Sequence, residues 1–247
     1  MSAIDLNADM GEYADETQQA IEAALMPLVT SCSIACGGHT GTAETMCATA
    51  RLAKQHNVRT GAHPSYPDRE GFGRRAVTLS SEELRLSLTL QVEALKGVLG
   101  LESLQLSHVK PHGALYNDAA KDIALAQVVA SVCSGAVLVG PSGSALEAAA
   151  KEAGLPFAAE GFVDRLYLAS GALSPRSEPG AVLADIDARA AQALAIAKGE
   201  KINARDGALL VKAETLCIHS DSPGAVETAQ AVRKALEEAD IAVRPFA

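Results

Sequence analysis

Five of the six histidines follow short β-branched or apolar runs, where a strand gives way to a loop: His39, His63, His108, His112 and His219. Imidazole titrates nearest neutrality of all side chains and is a common metal ligand. In α/β proteins with parallel sheets, ligands bind at the carboxyl ends of the strands. Histidines placed repeatedly at that position predict one convergent catalytic pocket.

The segments around them add the partners such a pocket needs. DLNADMGE, residues 5–12, leaves its strand with Asn7, Asp9 and Glu12, an amide between acids that can orient water, hold a substrate amide or bind a metal. SIACGGHTG, residues 33–41, presents His39 behind Gly37 and Gly38, which let a backbone approach a ligand closely. GAHPSYPDREGFGRR, residues 61–75, carries His63 and the paired Arg74 and Arg75, and guanidinium grips a carboxylate or phosphate in bidentate fashion. A loop of about 15 residues in a compact domain is functional or disordered, and this one is too aromatic and proline-rich for a tether.

HVKPHGALYN, residues 108–117, is the sharpest segment. His108, Lys110 and His112 alternate, so an extended chain turns all three to one face. A lysine between two histidines in a dry site is expected to lose basicity and serve as a proton donor. His108, nearest the strand interior, is expected to support the others. EGFVDRLY, residues 160–167, offers Glu160 and the Asp164–Arg165 pair, and CIHSDSPGA, residues 217–225, offers His219 and Asp221 before a helix. Asp9, His39 and His63 form one possible Asp-His-His metal set.

The elements that must position these groups alternate along the chain. Strands are expected at Ile4–Asn7, Thr30–Ala35, Val58–Ala62, Leu104–Val109, Ala136–Val139, just before Glu160, and at Leu216–Ile218. Helices are expected at about 17–26, 43–56, after the capping box Ser80-Ser81-Glu82-Glu83, at 123–133, from a Ser142 cap to Gly154, at 181–197, and after a Ser222 cap. Seven βα units with no linker between them predict one domain, a closed or nearly closed (β/α) barrel of about seven units. The 247 residues suit a single barrel.

Composition excludes several classes. A net charge of −9 argues against nucleic acid, which needs a basic face. The scattered Cys32, Cys36, Cys47, Cys133 and Cys217 read as buried thiols in a reducing compartment. The charge-free stretch 123–146 is broken by Ser134, Gly135, Gly140 and Pro141, so no membrane span is expected, and with no signal peptide a cytoplasmic protein is. Neither a phosphate loop nor a Gly-x-Ser-x-Gly elbow is present.

Taken in order, DLNADMGE, ACGGHTG, GAHPSYPDREGFGRR, HVKPHGALYN, EGFVDRLY and the His219–Asp221 turn resemble the LamB/YcsF family across nearly the whole chain. The resemblance implies a barrel of the glycoside hydrolase/deacetylase type. It also implies ATP-dependent opening of the 5-oxoproline lactam to glutamate, beside two partner subunits. ATP would then be a cosubstrate handled with the partners, and a divalent metal stays open. Within that reading Asp9 or His112 is the base, Lys110 stabilises or protonates developing charge, and Asn7, His39, His63, Arg74, Arg75 and His219 bind substrate. The alternatives are a stand-alone metal-dependent deacetylase or amidohydrolase, and a non-catalytic lactam-binding subunit. The chain departs from the family at Tyr13-Ala14-Asp15, at Thr40-Gly41-Thr42-Ala43 and at Ser220, positions expected on the pocket rim.

Overall fold

In the computed structural model, which describes residues 2–176 and 178–246, ten strands and eight helices follow one another. The strands are β1 Ala3–Met10, β2 Ser31–Ala35, β3 Arg59–His63, β4 Leu106–Val109, β5 Val137–Gly140, β6 Phe157–Phe162, β7 Lys201–Ala204, β8 Gly207–Leu210, β9 Thr215–Cys217 and β10 Ala242–Val243. The helices are α1 Glu16–Leu25, α2 Ala43–Gln55, α3 Ser81–Leu101, α4 Gly113–Ala119, α5 Ile123–Ser131, α6 Ala145–Glu152, α7 Ile186–Lys198 and α8 Ala225–Glu238. Strands β1 to β6 pair in parallel in chain order, β9 follows β6, and β9 pairs back onto β1. The result is a closed seven-stranded (β/α) barrel, with β10 added beside the first residues of β1.

Alternation along the strands explains why the barrel holds a polar interior. On β1, Leu6, Ala8 and Met10 join the apolar cluster, while Asp5, Asn7 and Asp9 are buried in polar contacts. At the lowest layer Asp5 accepts hydrogen bonds from Thr30, Ser31 and Thr215, tying β1 to both neighbours. One layer up, His108 Nε2 meets Ser33 Oγ at 3.1 Å and Nδ1 meets Ser107 Oγ at 2.8 Å. Gly61 makes room for that imidazole, because a Cβ there would overlap its Nε2. Most barrels fill this space with branched aliphatics. Here the aliphatic core lies between strands and helices.

Local expectations hold at most boundaries and fail at several places; the helix expected from residue 181, for one, begins at Ile186. Ser80 caps α3 with its reciprocal Glu83, as the box requires. The cap of α6 is Ser144, whose hydroxyl accepts from Glu147 N, and not Ser142. Ser222 does not cap α8. Its hydroxyl donates to Asp164, and Gly224 opens the helix at φ 73°. The short helix α4 and the β7–β8 hairpin have no counterpart in the expected order of elements. Thr42 forms a capping box with Thr45 at the start of α2, so Thr42-Ala43 serves a helix terminus rather than the pocket rim. Among the described residues no helix is long and apolar enough to cross a membrane.

Candidate active site

At the carboxyl ends of the strands lies a cavity of about 380 Å³. Asp9, His63, Lys110, His112 and His219 line it, from β1, the β3 terminus, the segments after β4, and the turn after β9. Arg74 lies on its wall and pairs with Asp221 at 2.8 Å. Asn7 sits beneath the floor and His39 behind it. Arg75 lies apart: it pairs with Asp68, and its side chain is 61% exposed.

Lys110 is the centre of the floor. Its Nζ contacts Asp9 Oδ1 at 2.6 Å, Asn7 Oδ1 at 2.8 Å and Glu160 Oε1 at 2.9 Å, and donates to Cys217 Sγ at 3.4 Å. Burial alone would lower its pKa, but the charge of Asp9, and after it that of Glu160, carries it well above the ordinary value. The expectation of a lysine softened by two histidines is therefore corrected. Carboxylates, not imidazoles, are its charged neighbours, and they keep it an ammonium. The same pair works on Asp9: burial opposes ionisation, yet His63 and Lys110 hold its carboxyl well below the usual range.

The histidines form a second layer of order. His63 Nδ1 donates to the Lys110 carbonyl at 2.7 Å, and His112 Nε2 donates to the Phe72 carbonyl at 3.0 Å. Their other nitrogens, His63 Nε2 and His112 Nδ1, face each other at 3.0 Å. His39 stacks on His112 with ring centroids 3.7 Å apart, and its Nε2 donates to Glu12 Oε1 at 2.8 Å. Burial pushes His39 down to about 2 and His112 to about 3, so both are neutral near pH 7. Burial also disfavours charge on His63, but the Asp9 carboxylate 3.4 Å away reverses the sign and raises it.

Several site residues escape a reading by type alone. Glu12 follows Gly11, whose φ is 73°, and its own amide and that of Gly11 both donate to the buried Glu22 carboxylate of α1. That turn swings Glu12 over the histidines. Asp164 accepts from His219 Nδ1 at 2.8 Å and from Ser222 at 2.7 Å, which orients the imidazole. Arg165 and Arg176 add cations to the wall. The signal for Glu12 is its place just beyond Asp9; nothing in the sequence announces Asp164 as the partner of His219. Ser220 does line the cavity, its hydroxyl donating to the Asp9 carbonyl at 3.1 Å.

A seven-stranded barrel with a carboxylate–lysine–histidine floor beneath a cavity at its strand termini defines a (β/α)-barrel protein. Residues 4–247 match the LamB/YcsF family, and the chain belongs to it. It is 46% identical to the A subunit of 5-oxoprolinase from Bordetella pertussis, over 98% of both chains. It is 44% identical to the corresponding 5-oxoprolinase protein of Thermus thermophilus, over 98% of this chain and 99% of that one. Among solved structures, the lactam utilization protein from Thermus thermophilus superposes with a TM-score of 0.90 at 43% identity, covering 99% of this chain and 100% of that one. A putative cellobiose-phosphate cleavage protein from Enterococcus faecalis V583 shares the fold, with a TM-score of 0.61 at 16% identity, over 98% of this chain and 96% of that one.

Proposed function

We propose that this chain is the lactam-binding, hydrolytic subunit of an ATP-dependent 5-oxoprolinase, acting with two partner subunits to open 5-oxo-L-proline to L-glutamate. The observation that carries this reading is the floor itself: Asp9 locked against Lys110 under a cavity sized for a small cyclic amide. The names of its relatives, 5-oxoprolinase and lactam utilization protein, support the choice of lactam.

A lactam is a stable amide, and phosphoryl transfer from ATP to its carbonyl oxygen makes the ring carbon electrophilic. Water then adds, the C–N bond breaks, the ring nitrogen takes a proton and phosphate leaves. Activation of that kind needs only a weak base, which suits the low basicity of Asp9. His112 is less suited, because its Nδ1 lone pair is turned onto His63. Lys110 holds Asp9 and supplies fixed positive charge beneath developing oxyanion character. Arg74, joined by Arg176 on the same Asp221, would receive the substrate carboxylate, and His219 the opposite edge of the ring. Arg75, paired with Asp68 away from the cavity, would not reach the substrate. The chain carries no phosphate loop, so the partners would bind ATP.

The test is 5-oxoproline-dependent ATP hydrolysis and glutamate release, measured with the partners, without them, and with Asp9→Asn. The pure chain is expected to turn over no ATP, and the variant to lose about 10²–10⁴ in assembled turnover. ATP turnover by the pure chain would refute the division of labour, and wild-type turnover in Asp9→Asn would refute the base.

A further inference from the structure

We propose that Glu12, His63 and His112 form a divalent transition-metal site, with an open coordination position facing the cavity. The hydrogen bonds of the two imidazoles point there. A backbone carbonyl can only accept, so His63 must carry its proton on Nδ1, facing the Lys110 oxygen, and His112 must carry its proton on Nε2, facing the Phe72 oxygen. With those protons fixed, His63 Nε2 and His112 Nδ1 face each other across 3.0 Å, and two lone pairs cannot meet there unaided. Such a pair requires a cation between or beside it: a shared proton or a metal ion.

The distances match a metal. Ligands of a tetrahedral zinc at about 2.0–2.1 Å stand roughly 3.3 Å from one another. Here His63 Nε2 and His112 Nδ1 are 3.0 Å apart, His112 Nδ1 and Glu12 Oε1 3.4 Å, and His63 Nε2 and Glu12 Oε1 3.8 Å. All three residues line the cavity, which leaves a fourth position for water or substrate. Both imidazoles are also held from behind, and the Glu12 oxygen that would bind the ion accepts from His39 as well. Metal-bound histidines characteristically donate their other N–H to a carbonyl or carboxylate, as both do here, and His39 Nε2 fixes Glu12. Two imidazoles and one carboxylate suit zinc and its first-row neighbours rather than magnesium or calcium.

Charge points the same way. Asp9, Glu12 and Glu160 converge on this floor, and Lys110 is the fixed cation in contact with two of them. Any further positive charge at this floor is shared between the His63 imidazole, which Asp9 favours in its protonated form, and an ion bound beside it. The Asp9, His39 and His63 set expected from the sequence is replaced, because His39 engages Glu12 instead of Asp9. A second grouping, Asp9 with Cys217 and His219, is disfavoured because the Lys110 ammonium contacts both Asp9 and Cys217.

Metal binding here is independent of whether a lactam is the substrate, and it is read without turnover. Chelator-stripped full-length chain would be titrated with Zn²⁺ by calorimetry and with Co²⁺ by visible absorption, and the zinc form examined by X-ray absorption. One equivalent is expected, with a nitrogen and oxygen shell at about 2.0–2.1 Å and no sulfur at about 2.3 Å. Glu12→Gln and His112→Gln are expected to weaken binding by more than about 100-fold, beyond the 10–100-fold typical of outer partners such as His39. Cys217→Ser is expected to leave it unchanged. Absence of stoichiometric binding by the wild-type chain would overturn the site in favour of a shared proton. A sulfur shell, or wild-type affinity in both Gln variants, would overturn the ligand set.

Discussion

Lys110 shows how little a side chain's neighbours in sequence say about its charge. Its flanking histidines turn to other partners, while Asp9 and Glu160, distant along the chain, surround its ammonium. Removing one partner of such a buried network leaves uncompensated charge. Lys110→Met is expected to cost about 3–5 kcal/mol of stability in chemical denaturation. Adding Glu160→Gln should recover part of that loss. A double variant no more stable than the single one would mean that Glu160 is not what the lysine neutralises. Asp164 gives a pH-dependent counterpart. Burial would raise its pKa, but His219 and Ser222 hold the folded carboxyl well below its ordinary 3.8. The unfolded chain therefore binds this proton more readily. Its stabilisation is complete above that unfolded value and is lost as pH falls through the lower folded one. Asp164→Asn should flatten the acid limb of the melting temperature measured from pH 7 to pH 2; an unchanged slope would remove Asp164 from acid sensitivity.

At the scale of elements, the site depends on two loops meeting at glycines. Gly113, at φ 57°, begins α4 directly after His112, and a Cβ there would lie 2.6 Å from the Gly73 carbonyl oxygen. Ala114 N donates to that same oxygen at 2.9 Å, pinning the 64–79 loop over the histidines. Gly135 has a similar backbone, φ 84°, but open space around it. Gly135→Ala is expected to cost about 1 kcal/mol through backbone strain alone, and Gly113→Ala about 1–3 kcal/mol more, because the loop must move. Thermal melts of the two variants compare them directly, and equal losses would show that the Gly73 approach is unimportant. These elements also mark the limit of local signals. The Ser80 box is legible because cap and helix are contiguous. Ser222 has the residue type and position of a cap, but its hydroxyl is claimed by Asp164, 58 residues away in sequence. The helix α4 is only seven residues long, too short to show a period.

For the whole molecule, closure of the barrel is the decisive event, and Asp5 sits where it occurs. It joins β2 through Thr30 and Ser31 on one side and β9 through Thr215 on the other. Asp5→Ala would take the acceptor from the buried Ser31 and Thr215 hydroxyl protons, an expected loss of roughly 2–4 kcal/mol in urea unfolding. A loss under 1 kcal/mol would mean that closure rests on the apolar shell alone. The seven βα units, and hence the barrel, are already written in the residue pattern, because period, caps and turns are local properties that survive in any context. The same pattern puts Asp9, His63, Lys110, His112 and His219 at strand termini, which parallel strands bring to one rim. The partner of each group is another matter: Glu12 over the histidines, Arg75 away from the cavity and Asp164 behind His219 emerge only in the folded barrel. Contacts made across a closed barrel depend on register and on side-chain direction several strands away, and those quantities leave no trace in the residues nearby.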